Sequence, residues 1–397
     1  MDIFLLYQYA ITAVLLFVLL NFLVNNILFK DTSKFKLPQY VLDKNPLISI
    51  LIPARNEEEN IKRCIISLTK QDYSNIEILV LNDNSTDNTA KIVEELSKKD
   101  QRIKLYTGGV LKKGWLGKTY ACHQLSKYAR GDYLIFTDAD TLHFPNSVSS
   151  AVACLLKYKL GALSVFAKQI MVTMHERMMV PFGNYIILCL MPIYLIRKAK
   201  SALFCTAIGQ FMLFKKDVYK KIDGHKSVKS EILEDIKISK QVKRCGYKFM
   251  IFDGRNNIYC RMYRNFREVV KGYSKVLFAA FDYKIYLISV AIILIFIVFL
   301  SPFLMLPLGI LFRWPVTILE LIILQIVFIL ITRIILSIRF KCKAVDIILH
   351  PVAVIYLILI AVNSIVSTII GPGISWKGRI YDVRKDNELT LINDNYK

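Results

Sequence analysis

The sequence predicts an α/β protein in which helices cover a parallel sheet and apolar helices flank it at both ends of the chain. Short β-branched runs alternate with helix patterns between residues 47 and 137, as they do in parallel sheets. Long uncharged runs lie near both ends of the chain, and 54% of its 397 residues are hydrophobic. These observations indicate one catalytic-sized domain held between membrane segments.

The alternation begins at residues 47–52 (LISILI), a buried strand that we expect Pro53 to end. A helix is predicted from Glu57, because apolar residues recur at helical spacing after it and an acidic first turn suits the helix dipole. The further predicted elements are strands at 76–81, 103–106 and 133–137 and helices at 91–99 and 119–129. Carboxylate-rich loops follow the first, second and fourth strands, where parallel sheets bind their ligands.

Two carboxylates, Asp138 and Asp140, end the stretch YLIFTDAD directly after the fourth strand. Residues two apart on an extended backbone can face the same side. Two close carboxylates repel each other, so one is expected to keep its proton unless a cation lies between them. Mg²⁺ typically takes one or two carboxylates together with substrate phosphates. The pair therefore predicts a divalent cation site, and the alternative is a solvated turn that caps the next helix.

The charge balance favours anionic partners. Lys and Arg number 53 against 31 Asp and Glu, which gives a net charge of +22. Such a charge suits nucleic acid, anionic lipid or phosphorylated substrates. There is no run of five basic residues, so we expect no nucleic acid partner and favour an anionic membrane surface. The eight cysteines form no CxxC pair or zinc-type cluster, which is typical of reduced thiols facing the cytosol.

The N-terminal apolar run, residues 3–29, is long enough to span a bilayer. Basic residues follow it at Lys30, Lys34 and Lys36, so the positive-inside rule puts the N-terminus outside and the following domain in the cytoplasm. The protein is therefore expected to be a multi-pass protein of the cell membrane.

Three further apolar blocks follow at 285–312, 315–337 and 345–371. Three spans there would leave the basic tail outside. Residues 285–312 are therefore a re-entrant or interfacial hairpin or two short crossings, or else the tail breaks the charge rule. The run at 178–196 is interrupted by Pro181 and Pro192 and is predicted to lie on the membrane surface, and the alternative is a full membrane span. The predicted organisation is a transmembrane helix at 1–30, a cytoplasmic catalytic domain at 45–280, transmembrane or interfacial helices at 285–371 and a basic tail at 372–397.

Three motifs, LISILIPARNEEENI, EILVLNDNSTDNT and GDYLIFTDAD, occur in this order between residues 47 and 140. They resemble the family-2 glycosyltransferases with a GT-A fold, which transfer a sugar from a nucleotide-sugar with inversion. One N-terminal span, a catalytic domain, C-terminal spans and a closing WKGR-Y tail are similar to the branch that glycosylates carotenoid acids, hopanoids and ceramide. The resemblance implies a Rossmann-like GT-A sheet and a membrane-lipid acceptor.

The resemblance also implies site residues. The nucleotide base and ribose would be lined by Pro53, Ala54, Arg55 and Glu57, and Asp83 would accept a hydrogen bond from uracil. Lys118 would approach the donor sugar or a phosphate. Asp138 would hold the ribose and the metal ion, Mg²⁺ or Mn²⁺, and Asp140 would hold the same metal ion.

Glu234 and Asp235 match the ED motif of the family, in which Asp235 would be the general base. The alternative is an exposed acidic first turn of a helix. The stretch RMYRNFREVVKGYSK lacks the QxxRW motif of processive synthases, which argues for transfer of a single sugar. In that stretch Arg261 and Arg264 could grip the leaving diphosphate or, alternatively, meet lipid phosphates.

The expected function is metal-dependent, inverting transfer of one sugar, from a UDP-hexose, to a membrane lipid. A polyprenyl-phosphate glycosyltransferase is the nearest alternative, since its acceptor is already anionic and needs no base. A polysaccharide synthase, a membrane partner protein with a degenerate nucleotide-binding domain and a transporter are further alternatives. The apolar spans hold few ionisable residues to mark a transport path.

Overall fold

The computed structural model describes residues 3–371, 374–382 and 390–394. The chain forms two units, which are described separately. The helical unit comprises Met1–Leu28, Met171–Pro192 and Tyr263–Gly371, and the sheet unit comprises Phe29–Ile170, Ile193–Met262 and Pro372–Lys397.

Eight strands form the mixed sheet of the sheet unit, in the order β3-β2-β1-β4-β7-β6-β8-β5. The strands are β1 (Ile48–Ala54), β2 (Ile76–Asn82), β3 (Ile103–Thr107), β4 (Tyr133–Thr137), β5 (Thr141–His143), β6 (Ala162–Gln169), β7 (Phe211–Lys215) and β8 (Phe249–Cys260). The first four strands pair in parallel, and β7 joins them in antiparallel orientation to β4. A separate antiparallel sheet contains β9 (Ile374–Trp376), β10 (Arg379–Asp382) and β11 (Thr390–Asp394).

The α-helices of the described residues are, in chain order, α1 (Ile3–Leu28), α2 (Gln39–Lys44), α3 (Ile61–Thr69), α4 (Thr89–Ser97), α5 (Gly117–Tyr128), α6 (Ser147–Lys157), α7 (Met174–Leu190), α8 (Ile193–Lys198), α9 (Lys216–Lys221), α10 (Glu234–Arg244), α11 (Phe266–Leu277), α12 (Ile285–Ile295), α13 (Ser301–Leu311), α14 (Val316–Phe340), α15 (Val345–Ile348) and α16 (His350–Ile369). A π-helical turn, Phe296–Leu300, joins α12 to α13.

The core of the sheet unit follows from the alternation in the strands. Ile48, Ile50 and Ile52 of β1 are fully buried and share one apolar cluster with Ile61 and Ile65 of α3. Each such side chain contributes about 1.5–3 kcal/mol when it is fully buried. This packing fixes β1 and α3, and thereby the loop between them.

Two sequence-based boundaries of this region are wrong. Pro53 does not end β1, which continues to Ala54. Since β1 pairs with β4 only from Ile48 to Leu51, the missing N–H of Pro53 falls where β1 no longer has a partner on both sides.

The helix expected from Glu57 begins instead at Ile61. The Glu57 N–H donates to Thr89 Oγ1 at 2.8 Å, and the Glu58 N–H donates to the Asp87 carboxylate at 3.0 Å. These bonds hold the start of the segment in a turn against the loop after β2, so the first helical turn forms later.

The helical unit contains four helices that are long and apolar enough to cross a membrane, judged by length and composition. They are Ile3–Leu28, Ile285–Leu311, Val316–Phe340 and His350–Ile369. Residues 285–311 are one helical run and not a hairpin or two short segments. Pro302 is tolerated because it lies in the first turn of α13, where its missing N–H is not needed, and the π turn precedes it.

Contacts within the helical unit give the directions of these helices. Phe4 and Trp314 pack edge to face with ring centroids 4.9 Å apart, and Arg339 Nη1 donates to the Asn26 carbonyl. The α14 helix therefore runs in the same direction as α1, while residues 285–311 run the opposite way. His350 Nε2 lies 3.3 Å from the carbonyl oxygen of Phe299, in the middle of that run.

Candidate active site

The carboxylate pair lies on a turn that the sheet holds in place. Thr137, the last residue of β4, donates its hydroxyl to the Gln210 carbonyl at 2.7 Å. Thr141 donates its hydroxyl to the Asp138 carbonyl, also at 2.7 Å. The turn between β4 and β5 is thus tied to the loop that precedes β7.

Lys118 joins two of the predicted motifs. Its Nζ lies 2.8 Å from Asp138 Oδ1 and 3.0 Å from Glu234 Oε1. Burial would lower the pKa of Lys118, but the charges of the two carboxylates outweigh it and raise that pKa well above its usual value. Lys118 is therefore a permanent cation that holds the β4 turn and the start of α10 together.

The carboxylates outnumber this cation. Burial raises the pKa of Asp138 despite Lys118, and burial followed by the charge of Asp138 raises the pKa of Asp140 to about 7. The charge of Glu57 acts on both aspartates in the same direction. The site is thus an anionic cluster that a further cation would stabilise.

The residues present fit a divalent cation. Asp140 Oδ1 is buried and accepts no hydrogen bond from the described residues. No group of three or more His, Cys, Asp or Glu side chains could hold a metal ion within the part of the chain that the structure describes. Two carboxylate ligands suit Mg²⁺ or Mn²⁺ when substrate phosphates supply the remaining oxygens.

The predicted general base lies in the first turn of α10. Asp235 Oδ1 accepts the N–H of Ile236 at 2.7 Å. Burial and then the charge of Glu234 raise the pKa of Asp235 to about 7. A carboxyl group with this pKa is half ionised near neutral pH, which suits a proton acceptor.

Gly209 is a site residue that the sequence did not single out. A Cβ atom there would lie 2.9 Å from Lys118 Nζ, 3.5 Å from Glu234 Oε1 and 3.7 Å from Asp235 Oδ2. A side chain at this position would therefore displace the ammonium group of Lys118 from the cluster. The signal available in the sequence was a glycine just before the strand at 211–215.

The loops after β1 and β2 are bonded to each other. Arg55 is only 3% exposed, and its Nη1 donates to the Asp83 carbonyl at 2.9 Å. Asp83 in turn donates its N–H to the carbonyl of Ala54, which follows Pro53, at 2.8 Å. The residues expected to contact the nucleotide base thus lie close together, while the roles assigned to them remain predictions.

The C-terminal tail also belongs to this region of the sheet unit. Arg379 pairs with both carboxylate oxygens of Asp83, at 2.5 and 3.0 Å. Lys377 Nζ lies 2.8 Å from Glu57 Oε1. The sequence singled out the tail only by resemblance and assigned it no role in the site.

The two arginines after β8 have different positions. Cys260, the last residue of β8, pairs with Thr141, so Arg261 follows directly beside the carboxylate turn. Arg264 belongs to the helical unit, where its N–H donates to Glu268 at 2.9 Å. A phosphate contact by either arginine remains a prediction.

Comparison with known proteins finds a family model that matches part of the chain. Residues 49–223 match the model of the Glycosyl transferase family 2. The 4,4'-diaponeurosporenoate glycosyltransferase of Staphylococcus haemolyticus is 28% identical over 231 residues, 57% of this chain and 60% of that protein. The UDP-Glc:alpha-D-GlcNAc-diphosphoundecaprenol beta-1,3-glucosyltransferase WfgD of Escherichia coli is 39% identical over 111 residues, 28% of this chain and 42% of that protein. The chain thus spans 60% or less of the length of these two relatives.

The fold is shared with a solved structure. The mannosyltransferase PcManGT from Pyrobaculum calidifontis, in complex with GDP-Man and Mn²⁺, has a TM-score of 0.53 and 16% sequence identity. The match covers 91% of this chain and 99% of that one. The predicted GT-A-type sheet with apolar helices at both ends of the chain is confirmed.

Proposed function

We propose that this chain, whose residues 49–223 match the model of the Glycosyl transferase family 2, transfers one sugar from a nucleotide-sugar to a membrane lipid. The observation that carries the proposal is the position of Lys118, whose ammonium group bonds both Asp138 and Glu234. Lys118 thus connects the turn that carries Asp138 and Asp140, the candidate ligands of a metal ion on the donor diphosphate, to the helix that carries Asp235, the candidate base.

The donor would be bound through its diphosphate and its nucleoside. Asp138 and Asp140 would hold Mg²⁺ or Mn²⁺, an ion that neutralises charge developing on a diphosphate. Lys118 and Arg261 would add positive charge beside the phosphates. We propose a UDP-hexose as the donor, with its base at the loops after β1 and β2. The name of the Escherichia coli relative, which includes UDP-Glc, supports this choice.

The acceptor would be a lipid hydroxyl. Asp235 takes its proton as the oxygen attacks the anomeric carbon, the bond from that carbon to the diphosphate breaks, and the nucleoside diphosphate leaves. A single displacement of this kind inverts the configuration. Burial, and then the charge of Glu234, keep the pKa of Asp235 high, which makes Asp235 a stronger base than a solvated aspartate. The names of both relatives, which contain diaponeurosporenoate and diphosphoundecaprenol, support a lipid-type acceptor.

The protein would work in the cell membrane with its sheet unit in the cytoplasm. The basic residues that follow α1 support this orientation, since positive charge accumulates on the cytoplasmic side of membrane segments. The same charges would meet an anionic lipid surface.

A transfer assay tests the proposal. Purified protein is incubated with a panel of nucleotide-sugars and a host membrane lipid extract, with Mn²⁺, Mg²⁺ or EDTA. Mass spectrometry then identifies any lipid that gains one hexose. Product that depends on the cation supports the proposal, and the absence of product with every donor would contradict it.

Three variants locate the chemistry. Asp140→Ala should abolish transfer, and Asp235→Asn should lower it by about 100-fold or more if the acceptor is a hydroxyl. Asp132→Asn is the matched control, because Asp132 is exposed just before β4 and should keep normal activity. Full activity of Asp235→Asn beside a dead Asp140→Ala would instead indicate an acceptor that is already anionic, such as a polyprenyl phosphate or a lipid carboxylate, which needs no base.

A further inference from the structure

The tail contains a tight hairpin whose turn is directed at the site. Strands β9 and β10 are joined by Lys377 and Gly378, which have φ angles of 44° and 85°. Two positive φ angles are typical of the two-residue turns that connect antiparallel strands. We call residues 377–381 the tail strap. Its turn is held by Arg55 Nε, which donates to the Lys377 carbonyl at 3.0 Å.

The tail strap bonds to two loops and to the start of α5, and each of these three places carries a candidate donor-site residue. Lys377 contacts Glu57 in the loop after β1. Arg379 contacts Asp83 in the loop after β2. The Tyr381 hydroxyl accepts the N–H of Gly117 at 3.2 Å, immediately before Lys118. The strap therefore connects loops that are far apart in the sequence.

The pair between Arg379 and Asp83 is buried. Arg379 is 1% exposed and Asp83 is 4% exposed. A two-point pair between guanidinium and carboxylate is much stronger than one hydrogen bond from a neutral N–H. Uracil, the base of the proposed donor, could offer Asp83 only one such bond, from its N3–H, so it would not displace Arg379. The strap should therefore stay in place when a nucleotide binds.

We propose that the tail strap is part of the nucleotide-sugar site and that Arg379 is a positioning residue, which holds Asp83 and its loop in the orientation that the nucleotide requires. The inference rests on the proposed function, since it assigns the donor to these loops. It gives residues 377–381 a role in donor binding. In addition, Lys377 offsets the charge of Glu57 beside the carboxylate pair.

Steady-state kinetics test the positioning role. Arg379→Gln should raise the KM for the nucleotide-sugar by about tenfold or more, change kcat by less than about threefold and leave the KM of the lipid unchanged. Arg379→Lys should recover part of the loss, because it keeps the charge but not the two-point geometry. Arg244→Gln is the matched control, since Arg244 is exposed at the end of α10.

Two kinetic outcomes would overturn the proposal. A lower KM for the donor in Arg379→Gln would mean that the strap blocks the site instead of completing it. An unchanged KM would mean that the strap only packs against the loops. The double variant Asp83→Asn/Arg379→Gln should be no worse than the poorer single variant, since both remove the same pair.

Trypsin provides a readout that does not depend on catalysis. Lys377 and Arg379 are cleavage sites that the bonded strap should protect in the full-length protein. Asp83→Asn should accelerate cleavage there by about tenfold, and UDP alone should slow cleavage of the wild type. Equal rates in wild type and Asp83→Asn would refute the strap. Wild-type protein that transfers no sugar would contradict the proposed function, while the effect of Asp83→Asn on cleavage would still test the bonding of the strap.

Discussion

Replacing Asp235 by Asn should stabilise the protein at neutral pH while it removes the base. The pKa of Asp235 rises from an ordinary 3.8 to about 7, first because of burial and second because of Glu234. The native state therefore binds this proton more tightly than the unfolded state does. Ionisation of Asp235 costs stability progressively as pH rises from about 4 to about 7, and the cost is constant above that. Asn carries no charge and avoids this cost.

The size of the effect follows from the shift. A rise from 3.8 to about 7 is about 3 pKa units, or about 4 kcal/mol at about 1.4 kcal/mol per unit. Asp235 is only half-buried, so solvent screening reduces this to about 2 kcal/mol. For a domain of 150–250 residues, about 2 kcal/mol corresponds to a Tm shift of about 4–8 °C.

Thermal unfolding in detergent at a series of pH values measures this difference. The Tm of Asp235→Asn minus that of wild type should increase between about pH 4 and pH 7 and then stay level. In the wild type kcat/KM should rise with pH up to about 7, where Asp235 becomes ionised. A Tm difference that is independent of pH, or that is largest in acid, would refute the assignment. The Asp132→Asn control should show no such difference.

Three other changes probe the cluster and the membrane topology. Gly209→Ala should lower transfer by about tenfold or more at nearly unchanged Tm, because its methyl group would displace the Lys118 ammonium. Lys118→Met should lower kcat by about 100-fold, since it removes the cation while it keeps the bulk, and a normal kcat would refute the role of Lys118 in phosphate binding. In a Cys245→Ser/Cys342→Ser background, which removes the two cysteines that are not buried, Arg313→Cys and Lys341→Cys should react with a membrane-impermeant thiol reagent from opposite sides of the membrane. Labelling of both from one side would contradict the helix directions.

The part of the fold that the sequence predicted well is the part fixed by local patterns. The predicted strand at 133–137 matches β4, and the other predicted strands of the parallel half are within two residues of their observed ends. Continuous runs of β-branched and aliphatic residues determine these strands, because the side chains on both faces of the sheet are buried. The boundary at Pro53 was wrong because β1 continues there with a partner on one side only. The boundary at Glu57 was wrong because hydrogen bonds to another loop decide the conformation.

The candidate site was predicted where one motif carries both residue type and position. Asp138, Asp140 and Glu234 were found in this way, and the structure connects Asp138 to Glu234 through Lys118. Gly209 and Arg379 were not assigned, because their importance depends on neighbours that are distant in sequence. The partner of Arg379 is Asp83, 296 residues earlier, and no periodic pattern relates the two.

The number of membrane crossings was left open by the charge pattern, and the contacts of α16 address it. His350 at its start lies against Phe299 in the middle of the run 285–311, while Ala361 shares a cluster with Ile288 near the start of that run. The α16 helix therefore begins beside the middle of residues 285–311 and extends toward Ile285. It does not reach Leu311, at the other end of that segment. It is long and apolar enough to cross, but these contacts predict that it enters and leaves on one side.

We therefore expect three crossings, by α1, 285–311 and α14. With three crossings, the basic residues after α1, those after α14 and the C-terminal tail all lie on one side of the membrane. Arg339 contacts Asn26, so α14 ends at the end of α1 that leads into the sheet unit, and the basic residues after α14 lie on that side. A re-entrant α16 returns the chain to the same side. A fourth full crossing would put residues 377–381 across the membrane from Asp83, to which Arg379 is bonded within one folded unit. The pair of Asp83 with Arg379 thus favours an even number of crossings after the catalytic domain.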